Sequence, residues 1–113
     1  MKTSFNAPHR NMVDFAHVPI IKRLTRMPVC IDPSHSVGTR ETSPDGVLDV
    51  LHSTSQGIIA GANMVLVDFH PSPTEALVDG PQALTLDELP KFIEDTRISR
   101  EAYKQRVELW AEK

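Results

Sequence analysis

The chain has 113 residues, of which 40% are hydrophobic and 24% charged, and its formal net charge is −3. This length fits one domain or part of one, and the slight acidic excess argues against nucleic acid as a partner. No segment approaches the roughly 20 apolar residues that span a bilayer, and the first residues lack the apolar core of a signal peptide. A single cysteine, Cys30, excludes an internal disulfide. We therefore expect a cytoplasmic protein without membrane contact.

The first predicted elements are a short helix and a strand. Apolar residues from Val13 to Leu24 favour a short helix or an irregular turn, with Pro19 inside it. The apolar run at 28–31 predicts a strand that is buried on both faces. We expect Cys30, which lies inside this run, to pack in the sheet like a small hydrophobic residue.

A second helix and a second strand follow. Ser43-Pro44-Asp45 resembles a helix start, and the apolar positions between Leu48 and Ala62 fit one face of a helix, although Gly57 weakens its middle. The continuous apolar run at 64–67 is typical of another buried strand.

The carboxyl-terminal part of the chain predicts helix. Thr85 and Glu88 have the spacing of a capping box, and Ser99 with Ala102 indicates the start of a separate last helix. The resulting order is helix, strand, helix, strand, helix. Apolar strands in such an order belong to parallel sheets covered by helices, so the predicted fold class is α/β.

Both predicted strands end in an acidic residue that is followed by a histidine, in Asp32-Pro33-Ser34-His35 and in Asp68-Phe69-His70-Pro71. Loops at the carboxyl ends of parallel strands converge on one rim, where ligands bind. Asp79 follows the second strand and can return to this rim. Imidazole and carboxylate ligands suit Mn, Fe, Co or Zn, so a histidine with two of these carboxylates makes a candidate divalent-metal site.

Each of these residues also has a structural interpretation. Asp32 can cap a turn, Asp79-Gly80 is a common turn pair, and a histidine after a strand is often satisfied by the backbone. Arg10 fits either a phosphate contact or the solvated surface. The residues by themselves leave these alternatives open.

Several segments carry a family resemblance, and they occur in the family's order over about residues 6 to 95. The most specific combination is Asp32-Pro33-Ser34-His35, then His70-Pro71, then the stretch 76–82, which reads Ala-Leu-Val-Asp-Gly-Pro-Gln. With these motifs the chain resembles the carboxyl-terminal part of the type I DAHP synthases (3-deoxy-D-arabino-heptulosonate 7-phosphate synthases), which are related to the KDO-8-phosphate synthases.

The resemblance implies a (β/α)₈ TIM barrel, of which residues 1–113 supply the last two strand–helix units with a preceding helix. Such a barrel needs about 250 residues, so this domain is incomplete as a single chain. The implied reaction is the metal-dependent condensation of phosphoenolpyruvate with erythrose 4-phosphate, a step of the shikimate pathway of aromatic amino-acid biosynthesis.

The resemblance also assigns roles. His35 and Asp79 match two metal ligands of the family, and Asp68 stands where the family has a glutamate one methylene longer. The metal would act as a Lewis acid on the aldehyde oxygen of erythrose 4-phosphate while the phosphoenolpyruvate methylene attacks the carbonyl carbon. Asp32 and His35 are the implied catalytic residues, Asp32 by orienting the metal histidine or contacting a substrate hydroxyl. Arg10 is the implied phosphate contact.

Other parts of the family site have no counterpart in this chain. The family's cysteine ligand and its phosphoenolpyruvate-binding arginines and lysines lie on early strands, and Cys30 is not expected to replace that cysteine. We therefore expect a transferase portion that is inactive until an amino-terminal barrel portion is supplied, or a chain that oligomerises. The alternative is a non-catalytic interaction or regulatory module derived from this family.

Overall fold

The computed structural model of the chain describes residues 14–33, 41–70 and 84–111, which form helices and short strands. The elements in chain order are α1 (His17–Thr25), β1 (Cys30–Ile31), α2 (Asp49–Ile59), β2 (Met64–Val65), β3 (Phe69–His70), β4 (Leu84–Thr85), a 3₁₀ turn (Leu86–Glu88) and α3 (Leu89–Ala111). The predicted order of helix, strand, helix, strand, helix is confirmed over these ranges. The short strands β3 and β4 are additional to it.

The strands β1 and β2 form a parallel pair, as their apolar sequences predicted. Cys30 lies opposite Met64, and Ile31 lies opposite Val65. The pairing continues past β2, where the Leu66 backbone N–H donates to the Ile31 carbonyl at 2.9 Å. This register determines which residues lie side by side at the carboxyl ends of the two strands.

Only one face of this strand pair is covered by the described helices. Ile31 is 8% exposed, whereas Met64 and Leu66 are 64% and 54% exposed. Cys30 is exposed as well. The prediction of strands buried on both faces is therefore wrong for this chain, and so is the packing of Cys30 inside the sheet. The physical reason is that parallel strands need a layer on each face, and the described helices supply one.

The first core lies between the strand pair and the helices α1 and α2. Its buried residues are Val18, Ile31 and Ala62, and half-buried Val65 packs against them. Gly57 lets α2 approach β1, because a Cβ atom at this position would collide with the Ile31 Cδ1 atom. The glycine that weakens the helix by propensity therefore permits close contact between helix and strand.

The second core joins α2, the strand β4 and the start of α3. Val50 and Leu84 are its buried centre, surrounded by Leu48, Leu51, Val67, Phe69 and Phe92. The rings of Phe69 and Phe92 meet edge to face, with their centroids 5.4 Å apart. The strands β3 and β4 are also parallel, with Phe69 opposite Leu84. Each strand contributes one of these two residues to the second core.

The predicted first helix is confirmed as α1. Pro19 is its third residue, and a proline in the first turn removes no hydrogen bond that the helix needs. The helix is capped by Arg26, a residue with φ of 56° whose backbone N–H donates to the Lys22 carbonyl at 2.8 Å.

A tie between the three helices lies at the amino end of β2. The Lys22 Nζ atom of α1 donates to the carbonyl of Gly61, just beyond α2, at 2.9 Å. The same Nζ lies 5.9 Å from the centre of the Tyr103 ring of α3, and Arg100 stacks on this ring at 4.9 Å. Gly61 has φ of 108° and lies against Tyr103, a combination that excludes larger residues.

The second helix begins later than its sequence predicted. Residues 43–45 belong to a tight turn, and α2 begins at Asp49. Within the turn, the Gly46 N–H donates to the Ser43 carbonyl at 2.9 Å and the Val47 N–H donates to Asp45 Oδ1 at 2.8 Å. The aspartate side chain thus satisfies backbone locally and competes with the helix that Pro44 suggested.

The capping box before α3 is confirmed, because the Thr85 N–H donates to Glu88 Oε1 at 2.7 Å and the reciprocal bond is present. The separate helix starting near Ser99 is wrong, since α3 continues unbroken. Ser99 is buried inside it, and its hydroxyl hydrogen-bonds to Ser55 Oγ at 2.8 Å across the contact with α2. None of the described helices has both the length and the apolar composition that crossing a bilayer demands.

Candidate functional site

Two aspartates stand at the same end of the β1–β2 pair. Asp32 follows β1 directly, and Asp68 comes three residues after β2 ends. Since the strands are parallel, both residues lie at the carboxyl edge, where parallel α/β folds place their ligands. The register aligns Asp32 with Leu66, so Asp68 lies two residues further along the chain.

The alternation of side chains decides which face Asp68 occupies. Val65, Val67 and Phe69 pack into the two cores. Successive side chains of extended backbone point to opposite faces, so Leu66 and Asp68 belong to the other one. Leu66 is indeed exposed. Asp68 therefore lies on the side of Leu66, where its side chain is half-buried.

Asp32 follows the same logic on β1. Ile31 packs into the first core while Cys30 is exposed, and alternation carries Asp32 to the side of Cys30. The next residue, Pro33, has one of the most deeply buried side chains described in the chain. Its burial anchors the backbone immediately after Asp32, which is itself half-buried.

The backbone is held in place at Asp68 and at the residue that follows it. The Asp68 carbonyl accepts a hydrogen bond from the Leu84 N–H at 2.8 Å. The following residue, Phe69, begins β3 and packs against Phe92. Asp68 is half-buried, and its Oδ2 atom is shielded from solvent. A carboxylate held in this way suits a preorganised ligand.

Three residues of the predicted site, namely Arg10, His35 and Asp79, lie outside the described residues. Within the described ranges, no three His, Cys, Asp or Glu side chains are grouped closely enough to hold a metal ion. A metal centre at this edge therefore needs ligands from the remaining segments, where His35 and Asp79 stand in the sequence.

His70 is a further residue at this edge. It lies two positions beyond Asp68 on β3, pairs in register with Thr85 and is half-buried. Alternation places it on the same face as Asp68. The motif Asp68-Phe69-His70-Pro71 contained it, but the predicted ligand set did not. The signal that points to it is its spacing of two residues from Asp68 in extended backbone.

A polar turn directly precedes α2. His52 Nε2 lies 2.8 Å from Asp45 Oδ2, and Ser43 Oγ donates to Asp49 Oδ1 at 2.8 Å. The pKa of Asp45 is lowered, first by the hydrogen bond from the Val47 N–H and then by His52. No role was predicted for His52, and its contact with Asp45 closes this turn.

Comparison with protein families identifies one that covers nearly the whole chain. The model of the DAHP synthetase I family matches residues 2–105. This range includes both aspartates and all of the quoted motifs.

Curated relatives come from two enzyme types. The phospho-2-dehydro-3-deoxyheptonate aldolase of Thermotoga maritima is 31% identical over 104 residues, which cover 92% of this chain and 29% of the relative. A 2-dehydro-3-deoxyphosphooctonate aldolase of Citrifermentans bemidjiense is 34% identical over 86 residues, covering 73% of this chain and 31% of the relative. The chain therefore spans about a third of the length of these relatives.

Solved structures agree with the sequence comparison. A truncated form of 3-deoxy-D-arabino-heptulosonate 7-phosphate synthase from Thermotoga maritima superposes with a TM-score of 0.73 and 32% identity, covering 90% of this chain and 36% of that one. A second structure of the DAHP synthase from this organism gives a TM-score of 0.74. With a family model matching residues 2–105, the chain belongs to the DAHP synthetase I family.

Proposed function

We propose that the chain is the metal-binding, carboxyl-terminal portion of a 3-deoxy-7-phosphoheptulonate synthase, supplying the last two strands of a (β/α)₈ barrel. The observation that carries this proposal is the position of Asp32 and Asp68 at the carboxyl ends of adjacent parallel strands. In barrels of this kind, catalytic groups come from the ends of several strands. Family membership gives the chemistry that such a rim would perform.

In this proposal, His35, Asp68 and Asp79 hold one divalent metal ion, which is Mn, Fe, Co or Zn. The half-buried Asp68, with Oδ2 shielded and its backbone fixed by Leu84, fits the part of a carboxylate ligand. A bound metal would supply Lewis acidity toward a carbonyl oxygen. Because aspartate is shorter than glutamate, we expect Asp68 to reach the metal from a closer backbone or through water.

Two further residues, Asp32 and Arg10, position the substrates in this proposal. Asp32, one residue before the buried Pro33, orients the imidazole of His35 or accepts a hydrogen bond from a sugar hydroxyl. Arg10 binds a phosphate group through its guanidinium. The substrates are phosphoenolpyruvate and erythrose 4-phosphate, or a related phosphosugar aldehyde as acceptor, in the cytoplasm. Groups that bind phosphoenolpyruvate would come from the early strands of the barrel.

A reconstituted assay tests the proposal. The full chain is mixed with an amino-terminal barrel portion of a family member and Mn²⁺, and consumption of phosphoenolpyruvate and erythrose 4-phosphate is followed. We expect turnover that His35→Ala abolishes together with metal retention. Cys30→Ser is the matched control, because the exposed Cys30 thiol faces away from the first core, and it should retain both.

Absence of turnover in an assembled complex would count against the proposed reaction. Loss of metal in Cys30→Ser with retention in His35→Ala would reassign the ligand set. A non-catalytic docking or regulatory module is the second candidate, favoured by the exposed face formed by Cys30, Met64 and Leu66. Binding to a family enzyme without metal uptake would support that candidate.

A further inference from the structure

The last two turns of α3 extend beyond α2 and the β1–β2 pair. A hydrogen bond from Ser99 to Ser55 holds α3 alongside α2, and Tyr103 lies against Gly61 at the amino end of β2. Beyond Tyr103, α3 continues for eight residues to Ala111, a length of about 12 Å. Each of these eight residues is exposed. The turns therefore project from the body of the described structure.

Apolar side chains are concentrated at this end of the molecule. Val107, Leu109 and Trp110 in the last turns of α3 are 49%, 63% and 76% exposed. Leu24 and Met27, where α1 ends beside the same tie between helices, are 78% and 62% exposed. Single exposed apolar residues are common on protein surfaces, whereas five at one end of a molecule are typical of an interaction site.

This end is also basic, although the whole chain has a formal net charge of −3. Residues 22–29 and 100–111, which we call the basic end, contain six lysines and arginines and two glutamates. Lys22 and Arg23 complement the dipole of α1, because they lie in its last turn. The last turn of α3 has no basic residue, so the dipole does not explain the cations of this helix. These cations are Arg100, Lys104 and Arg106.

Family membership does not account for this surface. The family model matches residues 2–105, so the turns that contain Val107 and Trp110 lie beyond the match. Further strands and helices of a barrel stand beside the described ones, along the open edges of the strand pair. They leave the basic end open. It is therefore a different surface from the exposed face formed by Met64 and Leu66.

Charge and geometry restrict what can bind the basic end. Two copies that meet through it would bring like charges together, which opposes a symmetric dimer. Val107 and Leu109 are two positions apart, which is about 200° around a helix, so their side chains point to opposite sides. A flat lipid surface contacts one side of a helix, whereas a polypeptide segment can contact both.

We propose that the basic end binds an acidic amphipathic segment of another protein. The apolar side chains of this segment cover Val107 and Trp110, and its carboxylates pair with Lys104 and Arg106. Ion pairs that lie beside apolar contacts are shielded from water, which strengthens them. The inference is independent of the proposed reaction, because the basic end and the candidate site lie at opposite ends of the strands.

A fluorescence titration of the full chain tests the inference, because Trp110 is its only tryptophan. Three synthetic peptides of about 16 residues carry leucine at the same helical spacing, with glutamate, glutamine or lysine at the other positions. The glutamate peptide should shift the Trp110 emission to shorter wavelength and bind at least about tenfold more tightly than the glutamine peptide. The lysine peptide should not bind. Raising the ionic strength from about 0.05 to about 0.5 M should remove most of this preference.

Point variants locate the contact. Val107→Glu should weaken binding of the glutamate peptide roughly tenfold or more. Gln105→Glu is the matched control, because it adds the same charge at an exposed position about 200° around the helix, and its effect should stay within about threefold. Met64→Glu, on the exposed face of the strand pair, should change binding by less than about twofold. All three side chains are exposed, so circular dichroism of the free variants should match that of the parent chain.

Failure of the glutamate peptide to bind, or equal binding of the glutamine peptide, would overturn the inference. A shift of the Trp110 emission with vesicles of phosphatidylcholine and phosphatidylserine, but not with the glutamate peptide, would assign the basic end to a lipid surface instead. A shift that grows with the concentration of the chain alone would assign it to a second copy. Loss of peptide binding in Met64→Glu with retention in Val107→Glu would place the peptide on the strand pair and refute the proposed surface.

Discussion

The two faces of the β1–β2 pair have the same apolar sequence character and opposite surroundings. Ile31 and Val65 pack against helices, whereas Cys30, Met64 and Leu66 are exposed. Sequence cannot distinguish these faces, because a strand in a complete parallel sheet is apolar on both. The contrast shows that the described helices cover one face of the strand pair. The apolar residues of the other face are exposed and available to pack against another structure.

The largest expected effect compares these faces directly. Ile31→Ala should lower the free energy of unfolding by about 2–5 kcal/mol, because it removes a buried side chain from the first core. Met64→Ala should change the free energy of unfolding by about 0.5 kcal/mol or less, since its side chain is exposed. Urea unfolding followed by circular dichroism measures both. Equal losses for the two variants would contradict the one-sided core.

A smaller effect is expected at the contact between α2 and the covered face. Gly57→Ala should destabilise the chain by about 1–3 kcal/mol, since its Cβ atom would collide with Ile31 Cδ1. This direction is opposite to the usual gain from replacing a glycine within a helix. Gln56→Ala, at the exposed neighbouring position, serves as the control in the same unfolding experiment. A stabilising Gly57→Ala would show that α2 does not lie directly on β1.

The smallest effect concerns the turn before α2 and depends on pH. Because the pKa of Asp45 is lowered in the folded chain, its carboxylate contributes stability above the unfolded value of about 3.9 and loses this contribution as the pH falls through the folded pKa. Asp45→Asn should therefore lower the urea midpoint at pH 7, and the difference from the parent should shrink below about pH 4. Asp87→Asn, an exposed control, should show no such convergence. A difference that stays constant with pH would contradict the role of the charge.

Local patterns predicted the regular elements well. The capping box at Thr85 and Glu88 is present as expected, and the apolar runs around Ile31 and Val65 form the parallel pair. These features depend on near neighbours along the chain, or on apolar character that persists in any arrangement. The start of α2 was predicted too early because Asp45 bonds to backbone within its own turn.

Features that depend on distant partners were not predictable in the same way. The strands β3 and β4 pair residues 15 positions apart, Phe69 with Leu84, and nothing local marks either as a strand. Exposure of Cys30 follows from what covers the sheet and not from the residue itself. For the candidate site, the sequence supplied Asp32 and Asp68, and the structure added their common edge and the nearby His70.

The tie formed by Lys22, Gly61 and Tyr103 lies at the far end of the strands from Asp32 and Asp68. A lysine of one helix, the Gly61 carbonyl just beyond the second and an aromatic ring of the third meet there, so the helices are held together at the end where no chemistry is proposed. The loops at the opposite end can then change in length and sequence without loosening the scaffold. With the scaffold held at one end, the sequence at the end that carries Asp32 and Asp68 can vary while selection for folding acts on the other end.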